Sequence, residues 1–196
     1  MPRPKSRISS SRKKSSADLR DVVETAPCIR ACDAADAAIL SLIGGATFLE
    51  TFGDSIDAAN LLAHAQGPHG VAYYETLLGD PDTRCWLAEL PGTQAPIGYQ
   101  VLTTPDIDLA VAGDVELKRI YIFSRYHGGG LAKQMVGRAV EAATAMGKQR
   151  MLLGVYGENH RAIAFYRKMG FDMIGDRRFT VGAQTFYDKV MARPLA

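Results

Sequence analysis

Residues 116–145 read ELKRIYIFSRYHGGGLAKQMVGRAVEAATA, which combines a strand pattern, a glycine-rich loop and a helix pattern in direct succession. Residues 116–123 are rich in β-branched and aromatic residues, a composition that favours a strand. Leu131–Ala145 has apolar residues at helical spacing, so it is predicted to form an amphipathic helix. The glycines at 128–130 leave consecutive backbone N–H groups uncovered at the positive end of that helix, where a phosphate group can bind.

The loop matches neither of the two common nucleotide-binding patterns. No GxGxxG sequence follows the strand, and no Gly-Lys-Ser or Gly-Lys-Thr follows the glycines. Three consecutive glycines are also typical of a tight turn, so the loop alone leaves both interpretations open.

Composition and length predict an ordinary globular protein. The chain has 196 residues, of which 47% are hydrophobic and 22% charged, and this length is typical of one domain. Cys28, Cys32 and Cys85 are too few for a disulfide framework and lack metal-ligand spacing, so we expect reduced thiols and a cytoplasmic location. No apolar run is expected to approach the ~20 residues of a membrane span, so no membrane partner is predicted.

Charge is distributed unevenly along the chain. Residues 1–17 carry six basic and no acidic side chains, which leaves 17 basic against 21 acidic side chains in the remainder. Residues 1–20 are therefore predicted to form a flexible basic tail, and residues 21–196 a single domain. Proteins that bind nucleic acid concentrate basic charge on their folded surface, so a nucleic-acid partner is disfavoured.

Strand and helix patterns alternate along the rest of the chain. The first helix begins after Asp33, a favoured N-cap, and is predicted to span 34–43 because Gly44 and Gly45 follow it. These patterns predict a mixed α/β domain with helices on both faces of one sheet. The other predicted elements are helices at 54–65, 69–78 and 160–169, and strands at 28–30, 84–90, 97–102, 149–156, 178–181 and 185–191.

Two motifs occur in order, separated by one helix and one strand. They are Arg125-x-x-Gly128-x-Gly130 followed by Ala132, and Asn159-x-x-Ala162-x-x-Phe165-Tyr166-x-Lys168-x-Gly170-Phe171. Both resemble the GNAT superfamily of N-acetyltransferases, and with their flanking elements the resemblance covers residues 28–193. It implies a mixed, mostly antiparallel sheet with a V-shaped split between two central parallel strands, 116–123 and 149–156.

The same resemblance implies acetyl-CoA as the acetyl donor and a primary amine as the acceptor. The sequence shows no cluster of metal-ligating residues, so no metal is expected. The loop backbone would hold the pyrophosphate, and the end of strand 116–123 would pair with the pantetheine arm as an added strand does. His127 and Gly129 stand where family loops often carry Arg or Lys, which leaves more of the phosphate binding to backbone N–H groups. The cofactor contacts implied in this way are Tyr121, Ile122, Phe123, Arg125, Gly128, Gly129, Gly130, Leu131, Ala132, Asn159 and Tyr166.

Two residues match catalytic positions of the family. Glu116 is the candidate general base that takes the proton of the amine. Its alternative role is an ion pair with Lys118, two residues further along the same strand face. Tyr166 is the candidate general acid that protonates the departing thiolate, and its alternative role is packing beside Phe165.

The acceptor is predicted from a weaker resemblance. Segments 47–53 and 116–121 are similar to bacterial spermidine/spermine N-acetyltransferases, which favours a small cationic amine, polyamines first. Two alternatives stay open, namely a protein or peptide amine and a non-catalytic acyl-CoA-binding regulatory module. Family habit also makes a homodimer plausible. His64 and His69 flank a loop and are too isolated to predict a metal site. The acidic side chains expected to attract a polycation are Glu50, Asp54, Asp106, Asp108 and Asp114.

Overall fold

A computed structural model describes residues 26–181 and 184–195. The predicted tail, residues 1–20, lies outside these residues. The strands are β1 (Cys28–Ala31), β2 (Arg84–Glu89), β3 (Pro96–Thr103), β4 (Asp114–Ile122), β5 (Arg150–Tyr156), β6 (Asp172–Val181) and β7 (Gln184–Pro194). The helices are α1 (Ala37–Phe52), α2 (Ala58–Gln66), α3 (Val71–Gly79), α4 (Leu131–Ala145) and α5 (His160–Lys168).

The strands form one seven-stranded sheet in the order β1-β2-β3-β4-β5-β7-β6. Neighbouring strands are antiparallel, except for the parallel pair β4 and β5 at the centre. That pair is hydrogen-bonded only where residues 114–116 face residues 150–152. Beyond this point the two strands separate, so residues 117–122 of β4 have no strand partner on the β5 side. The predicted V-shaped split is therefore confirmed.

Both faces of the sheet are covered, as the patterns predicted. On one face, α4 and α5 bury Val136 and Ile163 in a core that includes Met151 of β5 and Phe171, which directly precedes β6. On the other face, the largest cluster joins α1 and α3 to β2 and β3. Burial of each large apolar side chain contributes about 1.5–3 kcal/mol, so these two layers hold the separated strands in place.

Helix α1 does not end at Gly44 and Gly45, so the predicted helix boundary is wrong. Gly44 is buried in the middle of the helix, and a Cβ atom there would overlap the Tyr74 hydroxyl and the His69 ring. Glycine in a helix interior costs about 1 kcal/mol relative to alanine. Here that cost is offset by the close approach of these two side chains. The glycine is therefore a packing contact and not a helix terminator.

The uninterrupted helix also overturns an expectation about apolar length. Ala34–Phe52 has 19 residues and a mean hydropathy of 1.3, which is long and apolar enough for a membrane span by length and composition alone. Leu40, Ile43 and Phe48 lie on its buried side. This burial is typical of the core helix of a globular domain. The absence of a membrane partner stays a prediction.

Candidate active site

A cleft of about 1520 Å³ opens where β4 and β5 separate. One end, the loop arm, is lined by Gly128, Gly130, Ala132, Asn159 and Tyr166. The other end, the hairpin arm, lies between α1, α2 and the β6–β7 hairpin, and its side chains include Phe48, Phe52, His64, Arg177, Phe179, Phe186 and Asp188. The edge of β4 that has no partner on the β5 side, at residues 117–122, runs along the cleft and connects the two arms.

The loop arm is open in front of its glycines. Gly128 and Gly130 have φ values of 88° and 83°, a backbone conformation that favours glycine. A Cβ atom built on either residue, or on Gly129, would meet no other atom within 4 Å. Among the described residues, the amides of these glycines donate to no protein acceptor, and no side chain caps α4. Free N–H groups at the positive end of a helix are suited to a phosphate group.

Side-chain contacts fix the position of this loop. The His127 Nε2 atom donates to the Ile122 carbonyl at 2.8 Å, so this side chain turns back onto β4. The backbone N–H and the hydroxyl of Ser124 each donate to the Glu50 carboxylate at 3.0 Å, which ties the loop to α1. Glu50 therefore stabilises the loop, and its carboxylate is engaged there.

The structure brings seven of the eleven predicted cofactor contacts together along the cleft. Among the four that do not line it, Phe123 packs against the α1–α3 layer and Leu131 is buried in the core under α4. The Arg125 guanidinium lies 4.9 Å from the centre of the Tyr126 ring, and Gly129 has only its backbone to offer. The seven that line the cleft are Tyr121, Ile122, Gly128, Gly130, Ala132, Asn159 and Tyr166.

Asn159 and Tyr166 enter the cleft from the two ends of α5. The Asn159 side-chain oxygen accepts from the Ala162 N–H at 3.0 Å and so caps the helix. Tyr166 is 9% exposed, with its ring centre 5.3 Å from that of Phe165 and 5.8 Å from that of Phe171. Burial raises the pKa of Tyr166, so its phenol stays protonated at neutral pH. The residue thus packs in the core and presents a proton donor to the cleft.

Glu116 lies at the last position at which β4 pairs with β5, and it is fully buried. Its Oε2 atom accepts from the Asp106 N–H at 2.8 Å, and Arg177 Nη1 donates to Oε1 at 3.4 Å. Lys118 pairs with Asp106 at 3.2 Å, so the alternative pairing with Glu116 is wrong. The register of β3 and β4 shifts beside Lys118, and such a bulge changes the direction of a side chain.

Arg177 and Asp188 complete a polar cluster that the sequence patterns missed. Arg177 extends from β6 over Gly154 of β5 to reach Glu116 on β4, and a Cβ atom at Gly154 would overlap its guanidinium. Its Nε atom donates to Asp188 Oδ2 at 3.3 Å. The predicted strand 178–181 excluded Arg177, because the hairpin was expected to be shorter. The available signal was Gly154 within an apolar strand, since such a glycine often marks a close approach.

Aromatic rings surround the cluster in the hairpin arm. Phe179 on β6 faces Phe186 on β7, and the Phe186 ring centre lies 5.9 Å from that of Tyr156. From the helical side, Phe48 stacks on His64 with 4.0 Å between the ring centres. An apolar wall around a few charged groups is typical of a small-molecule site.

The sequence patterns suggested that His64 and His69 are isolated, but the structure brings the two side chains together. Their ring centres are 5.2 Å apart, and both residues line the cleft. Burial lowers the pKa of His64 to about 4 and that of His69 to about 2, so both rings are neutral at pH 7. His69 Nδ1 lies 3.0 Å from the Tyr74 hydroxyl, to which Arg119 Nη1 donates at 2.8 Å. Within residues 26–181 and 184–195 no group of metal-binding side chains occurs.

The structure divides the acidic residues that were expected to attract a cation. Asp106 and Asp108 line the cleft. Asp114 pairs with Arg150 at 2.6 Å near the start of β4, while Asp54 is exposed and does not line the cleft. Because Glu50 is also outside the lining, two of the five predicted side chains are in place for this role.

The model of the acetyltransferase (GNAT) family matches residues 51–171. An uncharacterised N-acetyltransferase of Mycobacterium tuberculosis is 38% identical over 99 residues, which cover 50% of this chain and 60% of that protein. A spermine/spermidine N(1)-acetyltransferase of Bacillus subtilis is 32% identical over 84 residues, covering 42% of this chain and 51% of that protein. The matches thus span about half to three fifths of these curated relatives.

Solved structures share the fold. A PaiA N-acetyltransferase from Thermoplasma acidophilum, solved with coenzyme A, has a TM-score of 0.69 at 18% identity, covering 86% of this chain and 99% of the other. An acetyltransferase from Thermus thermophilus has a TM-score of 0.60 at 26% identity, covering 87% and 97% respectively. The agreement extends over nearly all of the described residues.

Proposed function

This chain belongs to the acetyltransferase (GNAT) family, and we propose that it transfers the acetyl group of acetyl-CoA to a primary amine. The observation that carries the proposal is the unpaired edge of β4 at residues 117–122, which leads directly to the open glycines of the loop arm. An extended pantetheine chain suits the first feature, because an exposed strand edge accepts an added strand. A pyrophosphate suits the second. Relatives named as N-acetyltransferases support the same assignment.

The loop arm fits the donor by chemistry as well as by shape. The amides of Gly128, Gly129 and Gly130 would hold the pyrophosphate, and the open space in front of them leaves room for it. Tyr121 and Ile122 lie where the pantetheine arm would run, and the Asn159 side chain borders the split between the strands. When bound, acetyl-CoA supplies an activated thioester to the amine.

The residues of the chain would then move two protons. A carboxylate takes one proton from the acceptor ammonium, whose ordinary pKa is about 10.4 for a lysine-like amine. Sequence resemblance proposes Glu116 for this role. Tyr166 gives a proton to the departing thiolate, since its buried phenol is protonated and faces the cleft. No metal is required for either step.

The acceptor that we favour is a small cationic amine, with polyamines first. The name of the Bacillus subtilis relative supports this choice. Asp106, Asp108 and Asp188 bring carboxylates to the cleft, and the aromatic rings of the hairpin arm suit ammonium groups. Because exposed charges are screened over about 8–10 Å at physiological ionic strength, the apparent affinity for a polyamine should fall with added salt.

A thiol-release screen tests both levels of the proposal. Purified protein and acetyl-CoA are combined with polyamines, amino acids, aminoglycosides or short peptides, and free CoA is measured with and without added salt. We expect spermidine or spermine to turn over fastest. Turnover of peptides with inert spermidine would overturn the polyamine choice alone. Binding of acetyl-CoA with every amine inert would overturn the transferase and support the binding module.

A further inference from the structure

Three charged side chains meet at the point where β4 and β5 separate. Arg177 lies between two carboxylates, with Glu116 at 3.4 Å on one side and Asp188 at 3.3 Å on the other. One guanidinium thus serves two acidic side chains, so this cluster holds one acidic group more than it holds basic groups. Such an acidic group is suited to an ammonium group in the cleft.

The two carboxylates differ in their exposure and in the number of hydrogen bonds that they accept. Glu116 is 0% exposed, and both of its oxygens are engaged, one by the Asp106 N–H and one by Arg177. Asp188 is 7% exposed and lines the cleft. Among the described residues it accepts one hydrogen bond, from Arg177 Nε to Oδ2. Its Oδ1 atom is therefore the carboxylate oxygen of this cluster that is left for a ligand.

The strand register places Asp188 among groups that recognise a cation. Tyr156 on β5 and Arg177 on β6 are its cross-strand partners, and Phe186 lies two residues earlier on the same face of β7. Glu116 and Tyr121 face it from β4, and all of these residues line the cleft. A carboxylate bordered by aromatic rings is a favourable seat for an ammonium group.

We propose that Asp188 takes the proton from the acceptor ammonium, and that Glu116 is a positioning residue that acts through Arg177. This inference rests on the proposed acetyltransferase function and names a further residue of the same site. Glu116 and Gly154 together hold the guanidinium over β5, which keeps its Nε atom directed at Asp188. The other oxygen of Asp188 is thereby left for the amine.

The proton balance of the step is complete. Asp188 accepts one proton from the ammonium, and the nitrogen lone pair then attacks the thioester carbonyl carbon. The C–N bond forms and the C–S bond breaks, so the electron pair of that bond leaves with sulfur. Tyr166 protonates the thiolate, and the nitrogen loses a second proton as the amide forms. This second proton replaces the one that Tyr166 gave to sulfur. One proton passes from Asp188 to solvent, so the net products are amide, CoA thiol and one proton.

The acid–base chemistry of Asp188 agrees with this role. Burial raises the pKa of Asp188, and the nearby Arg177 opposes that shift. A carboxylate with a raised pKa is a stronger base than an exposed one, and the guanidinium beside it favours its ionised form. Tyr156, Tyr121 and Glu116 are the other titratable groups that face it, from β5 and β4.

The test compares Asp188→Asn with Glu116→Gln, using whichever amine the wild-type protein acetylates fastest. Asp188→Asn keeps the size of the side chain and an oxygen for Arg177 Nε. We expect kcat/KM at pH 7 to fall about 10²–10⁴-fold, the range of a lost general base. We also expect kcat/KM to rise tenfold per pH unit towards the pKa of the amine, because the substrate must lose its proton in bulk water. Glu116→Gln should lower the rate less and keep the wild-type shape of the pH profile.

An amine acidified by β-fluorine atoms provides a second readout. It is largely deprotonated at neutral pH, so it should restore most of the activity of Asp188→Asn, which a merely structural defect would not allow. Calorimetry with acetyl-CoA checks that the loop arm is intact in each variant. If Asp188→Asn loses this binding, Asp188→Ser gives the same comparison with a smaller side chain.

Each outcome bears on one level of the proposal. Two outcomes overturn the assignment to Asp188 without affecting the proposed acetyltransferase activity. One is a pH profile of kcat/KM in Asp188→Asn that matches the wild type. The other is an altered pH profile at low pH in Glu116→Gln and not in Asp188→Asn. A wild-type protein that binds acetyl-CoA but acetylates no amine overturns the proposed function, and this inference with it. Fluorinated-amine rescue confined to Asp188→Asn supports it.

Discussion

At the scale of single residues, two glycines determine where polar side chains lie in and beside the cleft, because a Cβ atom at either position would overlap those side chains. Gly154 leaves space over β5 for the Arg177 guanidinium, and Gly44 leaves space in α1 for His69 and Tyr74. Both stand in the middle of an element, where glycine weakens local structure. Sequence patterns interpret the helical glycine as a boundary, since its neighbours in space come from distant parts of the chain.

Tyr166→Phe tests the general acid at this scale. Phenylalanine preserves the packing against Phe165 and Phe171 but cannot donate a proton. We expect kcat to fall between about tenfold and 10⁴-fold, with little change in acetyl-CoA affinity. Steady-state kinetics across pH and calorimetry measure the two effects. Normal turnover at every pH would mean that the thiolate departs unaided and that Tyr166 only packs.

At the scale of elements, the separation of β4 from β5 creates the cleft, and the start of α4 closes one end of it. The prediction of α4 as Leu131–Ala145 is confirmed residue for residue. The apolar residues of α4 are regularly spaced, and glycines directly before Leu131 mark its start. No side chain caps its N-terminus. By contrast, the β6–β7 hairpin extends further than predicted, because paired strands extend through backbone hydrogen bonds that composition does not reveal.

Gly128→Glu tests the loop arm. The added carboxylate would occupy the open space in front of the loop amides, so its bulk and charge should abolish acetyl-CoA binding. Gly147→Glu is a matched control, because Gly147 also has a positive φ, of 70°, and open space around it, but lies beyond the other end of α4. Calorimetry on both variants should show binding only for Gly147→Glu. Unchanged affinity in a folded Gly128→Glu protein would place the pyrophosphate elsewhere.

At the scale of the whole molecule, buried histidines link stability to pH. The pKa of His64 is lowered to about 4 and that of His69 to about 2, mainly by burial. The unfolded chain therefore binds more protons than the folded one below the ordinary histidine pKa of about 6.5. The contribution of these histidines to stability is complete above that pH and is lost as the pH decreases from 6.5 towards 4 for His64 and towards 2 for His69, by about 1.4 kcal/mol per pH unit for each group within its window.

Urea unfolding at pH 7.5 and pH 5.0 measures this effect, and the free energy of unfolding should be smaller at pH 5.0. His64→Phe keeps the ring stacked on Phe48 and removes one titrating group, so its pH dependence should be weaker. Equal stability of the wild type at both pH values would show that the histidines are hydrated.

The predicted homodimer, cytoplasmic location and acceptor identity stay predictions at this scale.

Local patterns were sufficient for one mixed sheet with helices on both faces and for the loop at 128–130. These features depend on residues close together in the chain, where the period of apolar side chains and the position of glycines determine the backbone. The family and the V-shaped split were implied by the resemblance of the two motifs. The cluster of Glu116, Arg177 and Asp188 required the fold, because its members come from three strands and meet only through the sheet register. The pairing of His64 with His69 in the cleft depended equally on packing, since burial and charge partners are properties of the folded chain. The sequence therefore located the glycine loop at which we propose that the donor binds, whereas only the tertiary contacts show which carboxylates line the cleft.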